Sequence, residues 1–164
     1  MTMRTLAIAA AALLASATAA LAAPASVSVT IGPELQSKAV KTLGVREVNE
    51  LAARLQSAVE KRLAKTGAYD GARIELVLVD AKANRPTFKE LGDRPGLSYD
   101  SFGIGGAEIQ GQALAANGTV TPIGYKYYES DLRWARRGGT WADAEGTFDR
   151  FAFDLARGQA LASR

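Results

Sequence analysis

Between residues 26 and 31 the chain alternates, Ser-Val-Ser-Val-Thr-Ile, with the period of two expected of a half-buried strand, and Gly32-Pro33 ends it. From Val45 the period changes. Val45, Val48, Leu51, Ala52, Leu55, Val59 and Leu63 recur at spacings of three and four, the single apolar stripe of an amphipathic helix running to Lys65. Glu47 and Glu50 fall in its first turns and Lys61, Arg62 and Lys65 in its last, which suits the helix macrodipole. Glu50 and Arg54 are spaced for an i,i+4 ion pair, and Gly67 for a left-handed cap. Residues 38–44, before the helix, fit a connection or a second short strand. Residues 72–80 then read as a strand that enters from solvent, Arg73 and Glu75 alternating with Ile74 and Leu76. It becomes apolar on both faces at Val77-Leu78-Val79, which places it inside a sheet. Strand, helix and strand in this order predict a parallel pair joined by a crossover.

The pattern then lapses. Residues 81–102 show no period and contain Pro86, Gly92, Pro95 and Gly96, so they read as a long loop that is functional, mobile or hides an element. Residues 104–129 predict a hairpin. Ala107, Ile109, Gly111 and Ala113 share one face and Glu108, Gln110 and Gln112 the other, with Asn117-Gly118 as a two-residue turn. On the returning arm Tyr125 and Tyr127 share a face opposite Lys126 and Tyr128, and Pro122 suits only a sheet edge or a bulge. A second helix is expected from Thr140, capped in partnership with Asp143, its stripe formed by Trp141, Ala144, Phe148, Phe151, Ala152 and Leu155. Gly146 weakens this helix by about 1 kcal/mol relative to Ala. The order β-α-β-β-β-α predicts an α+β fold: a mixed four-stranded sheet with two helices on one face.

The amino terminus adds a compartment. Arg4 is the sole charge before Glu34, residues 6–21 are almost wholly Ala, Leu and Ile, and Ala20-Leu21-Ala22 supplies small residues for cleavage. This is the layout of a secretory signal peptide, assigned to residues 1–25, with cleavage between 22 and 26 and a single domain over 26–160. The apolar run is short of the roughly 20 residues that cross a bilayer, so no transmembrane span is expected in the mature form. The absence of cysteine and histidine excludes disulfides, Ser-His-Asp triads and nearly all zinc sites. Neither a metal site nor a cofactor is expected. A net charge of +3 is too slight to suggest nucleic acid.

The Val-rich first strand, a helix ending Val59-Glu60-Lys61-Arg62-Leu63, the strand to Asp80 and a polar hairpin before a Trp/Phe helix together resemble small bacterial envelope domains. Among these are the curli-secretion lipoprotein class, the amino-terminal domain of the Tol system's propeller protein and exported families of unknown function. The resemblance implies a periplasmic or secreted protein with an interaction or assembly-accessory role in the envelope. Unlike the lipoprotein members, this chain has no cysteine to carry a lipid anchor.

Candidate chemistry is sparse. Gly103-Ile104-Gly105-Gly106 leads into a strand rather than a helix and no Gly-Lys-Ser/Thr follows, so a bulge or close backbone approach is expected, not a nucleotide cradle. No catalytic residue is assigned. Asp93, Asp100, Glu108, Glu129 and Asp131 could serve a hydrolase of envelope substrates only if two faced each other across a cleft; Ser101 and Lys126 have no spacing that favours a pair. The strongest binding signal is the run from Tyr125 to Arg137. Tyr125, Tyr127, Arg133, Trp134, Arg136 and Arg137 combine rigid aromatic area with guanidinium groups, a surface for an envelope protein, a glycan or an anionic head group. A non-enzymatic interaction protein is therefore the leading reading. The alternatives are a carboxylate-dependent hydrolase and a small-ligand binding protein with its pocket between the sheet and the 81–102 loop.

Overall fold

The structure, a computed structural model, describes residues 23–136 and 138–159. The expected signal peptide lies outside them, apart from its last three residues, and so does residue 160 at the expected end of the domain. In chain order the elements are β1 (Ser26–Ile31), α1 (Pro33–Lys38), which runs on into a π-helical turn (Ala39–Leu43), and α2 (Val45–Thr66). β2 (Arg73–Lys82), α3 (Phe88–Asp93), β3 (Gly106–Leu114), β4 (Val120–Tyr128) and α4 (Ala142–Ala156) follow. The fold is α+β. One mixed sheet has the order β1-β2-β3-β4, with β1 and β2 parallel and the other pairs antiparallel.

Each periodic segment buries most of the stripe its sequence marks out, the exception on α2 being Val45 at its first position, which is exposed. On α2, Val48, Leu51, Ala52, Leu55, Val59 and Leu63 are buried, while the helix ends at Gly67 in the left-handed region. α4 lies beside α2 and buries Ala144, Phe148, Phe151, Ala152 and Leu155. Beneath them the sheet presents Val27, Ile74, Leu76, Leu78, Ile109 and Ile123. At about 1.5–3 kcal/mol for each large side chain, this shared layer is what holds helices and sheet together. The opposite face of the sheet is polar and cross-linked. Lys126 pairs with Glu108 at 2.9 Å, Gln112 donates to Glu75 at 2.9 Å, and Asp80 accepts from Lys38 at 2.7 Å and from Tyr128 at 2.6 Å.

Several local expectations are corrected. Residues 38–44 are not a strand; burial of Leu35 and Ala39, four apart, draws them into helical turns. Of the readings left open for the 81–102 segment, a hidden element is the one found: it holds α3, started by a reciprocal capping box between Thr87 and Glu90. The hairpin is joined by three residues rather than two. Ala115 N–H donates to Thr119 O and Gly118 N–H to Ala115 O, a turn in which Gly118 (φ +85°) alone takes positive φ, so Asn117 need not. Pro122 does sit on an edge strand, β4. Helix α4 begins at Ala142 without a side-chain cap from Thr140. Its Asp143 is engaged elsewhere, as described next. Arg54 pairs with Glu145 of α4 instead of Glu50, which faces Arg46 at 3.6 Å.

Candidate functional site

The centre of the polar architecture is a buried pair, Asn84 and Asp143, 59 residues apart in sequence. Asp143, 4% exposed, accepts at Oδ2 from Asn84 Nδ2 (2.6 Å) and Gly105 N–H (2.9 Å), and at Oδ1 from Arg136 N–H (2.8 Å). In return its own N–H, an orphan donor of the first turn of α4, donates to Asn84 Oδ1 at 2.8 Å. Asn84 also donates to Thr140 O through its backbone and to Gly103 O through its side chain. A carboxylate can be buried only when its lone pairs are satisfied, and here three N–H groups do so. Gly105 belongs to this arrangement. A Cβ there would lie 2.7 Å from both Asn84 Oδ1 and Lys82 O, so the glycine run marks close backbone approach.

This clamp anchors the segment that the sequence singles out. Arg136 is tied by its backbone to Asp143, and its guanidinium lies over Gly146 of α4 with no carboxylate partner among the described residues. Asp131 closes the turn on itself, accepting from Arg133 N–H at 2.9 Å and from the Arg133 guanidinium. Ala135 is buried, which plugs the turn into the body, whereas Trp134 is 72% exposed. A tryptophan held outward on a turn closed by Asp131 and tied to the body through Asp143 and Ala135 is a preorganised contact surface.

The six predicted site residues divide. Tyr125 and Tyr127 lie on the helix-covered side of the sheet. Tyr125 packs on Phe151 with ring centroids 5.7 Å apart, and burial, aided by Asp154, pushes its hydroxyl pKa up. Tyr127 is covered by the Arg150 guanidinium, 4.3 Å from its centroid, and donates to Glu129 at 3.1 Å. Neither belongs to an exposed surface with Trp134. Arg133, Trp134 and Arg136 remain together on the turn; Arg137 lies outside the described residues. Nor do the carboxylates converge. Asp93 pairs with Lys89 on α3, Glu108 with Lys126 on the open sheet face, Asp131 with Arg133, and Asp100 is exposed on its loop. Among the described residues no cluster of three acidic side chains could hold a metal ion.

Sequence reasoning missed the first of two concavities. One, of about 520 Å³, lies between α2, the start of α4, Arg136 and residues 138–141. Arg46, Arg54 and Arg136 line it opposite Glu47, Glu50 and Glu145, so its charges balance. Glu47 there accepts from Phe88 N–H (2.7 Å) and Trp141 Nε1 (3.2 Å), while the Phe88 ring stands 70% exposed. The second opens beside the end of β2, where a pocket between the sheet and the 81–102 loop is expected from the sequence, and is lined mainly by cations and apolar groups. No signal in the sequence pointed to the first, because it is walled by segments distant in sequence. No protein-family model, curated protein or solved structure matches this chain. Among the described residues, no helix is long and apolar enough to cross a membrane.

Proposed function

We propose that this chain is an exported, non-enzymatic interaction protein of the bacterial envelope, which docks a partner protein on the turn around Trp134. The observation that carries this reading is the exposure of Trp134, 72%, on a turn closed by Asp131 and pinned to the body by Asp143. Trp and Arg dominate the energetics of interfaces, and a turn already fixed loses little freedom on binding. Leu132, 49% exposed, extends the apolar area beside it. The dispersal of the carboxylates favours binding over hydrolysis, since acid and base would have to share one cleft. Export rests on the charged, apolar and small-residue layout of residues 1–25, and the envelope role on the resemblance to envelope domains.

Two measurements test the reading. A photo-crosslinking amino acid in place of Trp134, in cells expressing the full chain, should give a discrete adduct that the same group at Lys61 does not. Trp134→Ser should abolish recovery of that partner while shifting stability by no more than about 0.5 kcal/mol, as surface changes do. Equal recovery by wild type and Trp134→Ser would refute the docking surface. For export, intact mass in the periplasmic fraction should show loss of roughly 22–25 residues; full-length mass there would refute it.

A further inference from the structure

β1 lies at one edge of the sheet and β4 at the other. An edge strand offers a row of unpaired backbone N–H and C=O groups, which proteins blunt with proline, lysine or a covering segment. β4 is blunted by Pro122, which has no N–H, and by the exposed Lys126. β1, over Ser26–Ile31, contains neither a charge nor a proline.

Which of its groups face outward follows from the register. β1 pairs with β2 in one unbroken parallel register, from Ser26 opposite Arg73 to Ile31 opposite Leu78, and Gly32 N–H donates to Leu78 O at 2.9 Å. Backbone direction alternates along a strand, so Ser28 and Thr30 face β2 as Gly32 does. Val27, Val29 and Ile31 therefore turn their N–H and C=O groups away from the sheet, and among the described residues these groups bond to no other segment. The outward series closes at both ends: Ala25 N–H is spent on Ala72 O at 2.8 Å, and Pro33 has no N–H.

We propose that β1 pairs antiparallel with β1 of a second copy of this chain, about a two-fold axis at Val29, joining two sheets into one. In that register Val29 faces Val29 of the second copy and Val27 faces its Ile31, each pair exchanging both of its N–H···O bonds. The side chains match as the backbones do. On the helix-covered face Val29 and Ile31, half-buried in the single copy, meet β-branched neighbours across the axis. On the open face the hydroxyl of Ser28 meets that of Thr30. Such pairs are favourable, and an uncharged strand sets no like charges against each other under the two-fold. β1 is thus its own complement, which selects a second copy over a strand of different sequence. The contact is isologous and closes at two, because both edges of the joined sheet are then the blunted β4. It leaves the Trp134 turn, which follows β4, uncovered, and the inference is independent of that surface.

Sedimentation equilibrium of the mature chain should show a monomer passing to a dimer as concentration rises, with no larger species. Ser28→Lys/Thr30→Lys sets lysines against lysines across the axis and should remove the dimer, whereas Ser28→Lys/Thr30→Glu sets opposite charges there and should restore it. Both positions are exposed, and their hydroxyls make only long bonds to Ile74 O (3.5 Å) and Leu76 O (3.4 Å). The unfolding midpoint of the dilute monomer should therefore be the same in all three proteins. The absence of cysteine allows the register itself to be read. Position 28 and position 30 of the second copy form a non-hydrogen-bonded pair with Cα atoms about 4.5 Å apart, within disulfide range. On oxidation, Ser28→Cys mixed with Thr30→Cys should cross-link, while either variant alone, two residues out of register, should not. A monomer at every concentration, or a dimer that survives the double lysine variant, would overturn the inference. Failure of the Lys/Glu variant to restore the dimer, or cross-linking of a single variant as fast as the mixture, would overturn the axis at Val29.

Discussion

Replacing Asp143 by Ala would remove the acceptor of three N–H groups at once. Of the donors left behind, Asn84 Nδ2 and Gly105 N–H belong to buried residues, whereas Arg136 is exposed and its amide can turn to water. An unsatisfied buried donor costs about 1–3 kcal/mol, so two cost about 2–6. Relief from burying a charge offsets part of that. We expect a net loss of about 3 kcal/mol, near 10 °C in melting temperature for a domain of this size. Asp143→Asn is the finer probe. With its carbonyl kept towards Asn84 and Gly105, its NH₂ would face the Arg136 N–H, donor against donor, so it should cost less than Ala. Urea denaturation of Asn84→Ala, Asp143→Ala and the double variant would give the coupling directly, expected at 0.5 kcal/mol or more as for groups sharing one network. A loss below about 0.5 kcal/mol for Asp143→Ala, the size of an ordinary surface change, would show that the clamp contributes nothing to stability.

Gly118→Val should lower stability by about 1–2 kcal/mol in a chemical melt, because a β-branched residue resists φ +85°; an unchanged midpoint would remove the turn assignment. Gly146→Ala should be neutral or stabilising by up to about 1 kcal/mol, since the new Cβ meets only the movable end of the exposed Arg136; a clear destabilisation would show that this guanidinium is structurally fixed. The Asp80–Tyr128 bond predicts a pH profile. Burial opposes ionisation of Asp80, but hydrogen bonds from Lys38 and Tyr128 and the Lys38 charge outweigh it and hold the carboxyl below its ordinary 3.8. Burial first, then Asp80, pushes the Tyr128 hydroxyl above its ordinary 10.0. The lowered carboxyl contributes stability that is complete above 3.8 and lost as pH falls through its folded value, and the raised phenol contributes stability complete below 10.0 and lost as pH rises towards its own. Tyr128→Phe should flatten both limbs in unfolding midpoints measured across pH; superimposable profiles would refute the coupling.

What the sequence revealed follows from what repeats in it. The stripe from Val48 to Leu63 and the alternation at Ile74 and Leu76 are periodic because one face is buried, so α2 and β2 were legible. The hairpin was placed correctly but its loop was not, since Asn117-Gly118 suits either length and the Ala115–Thr119 bond decides. α3 buries no side chain and so leaves no stripe; its one signal was Thr87 three residues before Glu90, masked by the neighbouring prolines and glycines. The site shows the same division. An aromatic and arginine-rich run was visible, but the outward exposure of Trp134 and the covering of Tyr125 by Phe151 are tertiary facts. Asn84 and Asp143 carry no periodic signature at all: nothing local distinguishes a clamped asparagine from one in solvent.

The bond between Asn84 and Asp143 has a consequence for how the molecule opens. It joins the segment lining the cationic cavity, through Asn84 and Gly103, to the turn carrying Trp134, through Arg136. Neither segment can leave the body without releasing the same carboxylate, so the two behave as one cooperative unit rather than as separate frayed loops. In hydrogen–deuterium exchange the amides of Asn84, Gly105, Arg136 and Asp143 should therefore exchange with a common opening free energy, above that of the hairpin tip at Gly118.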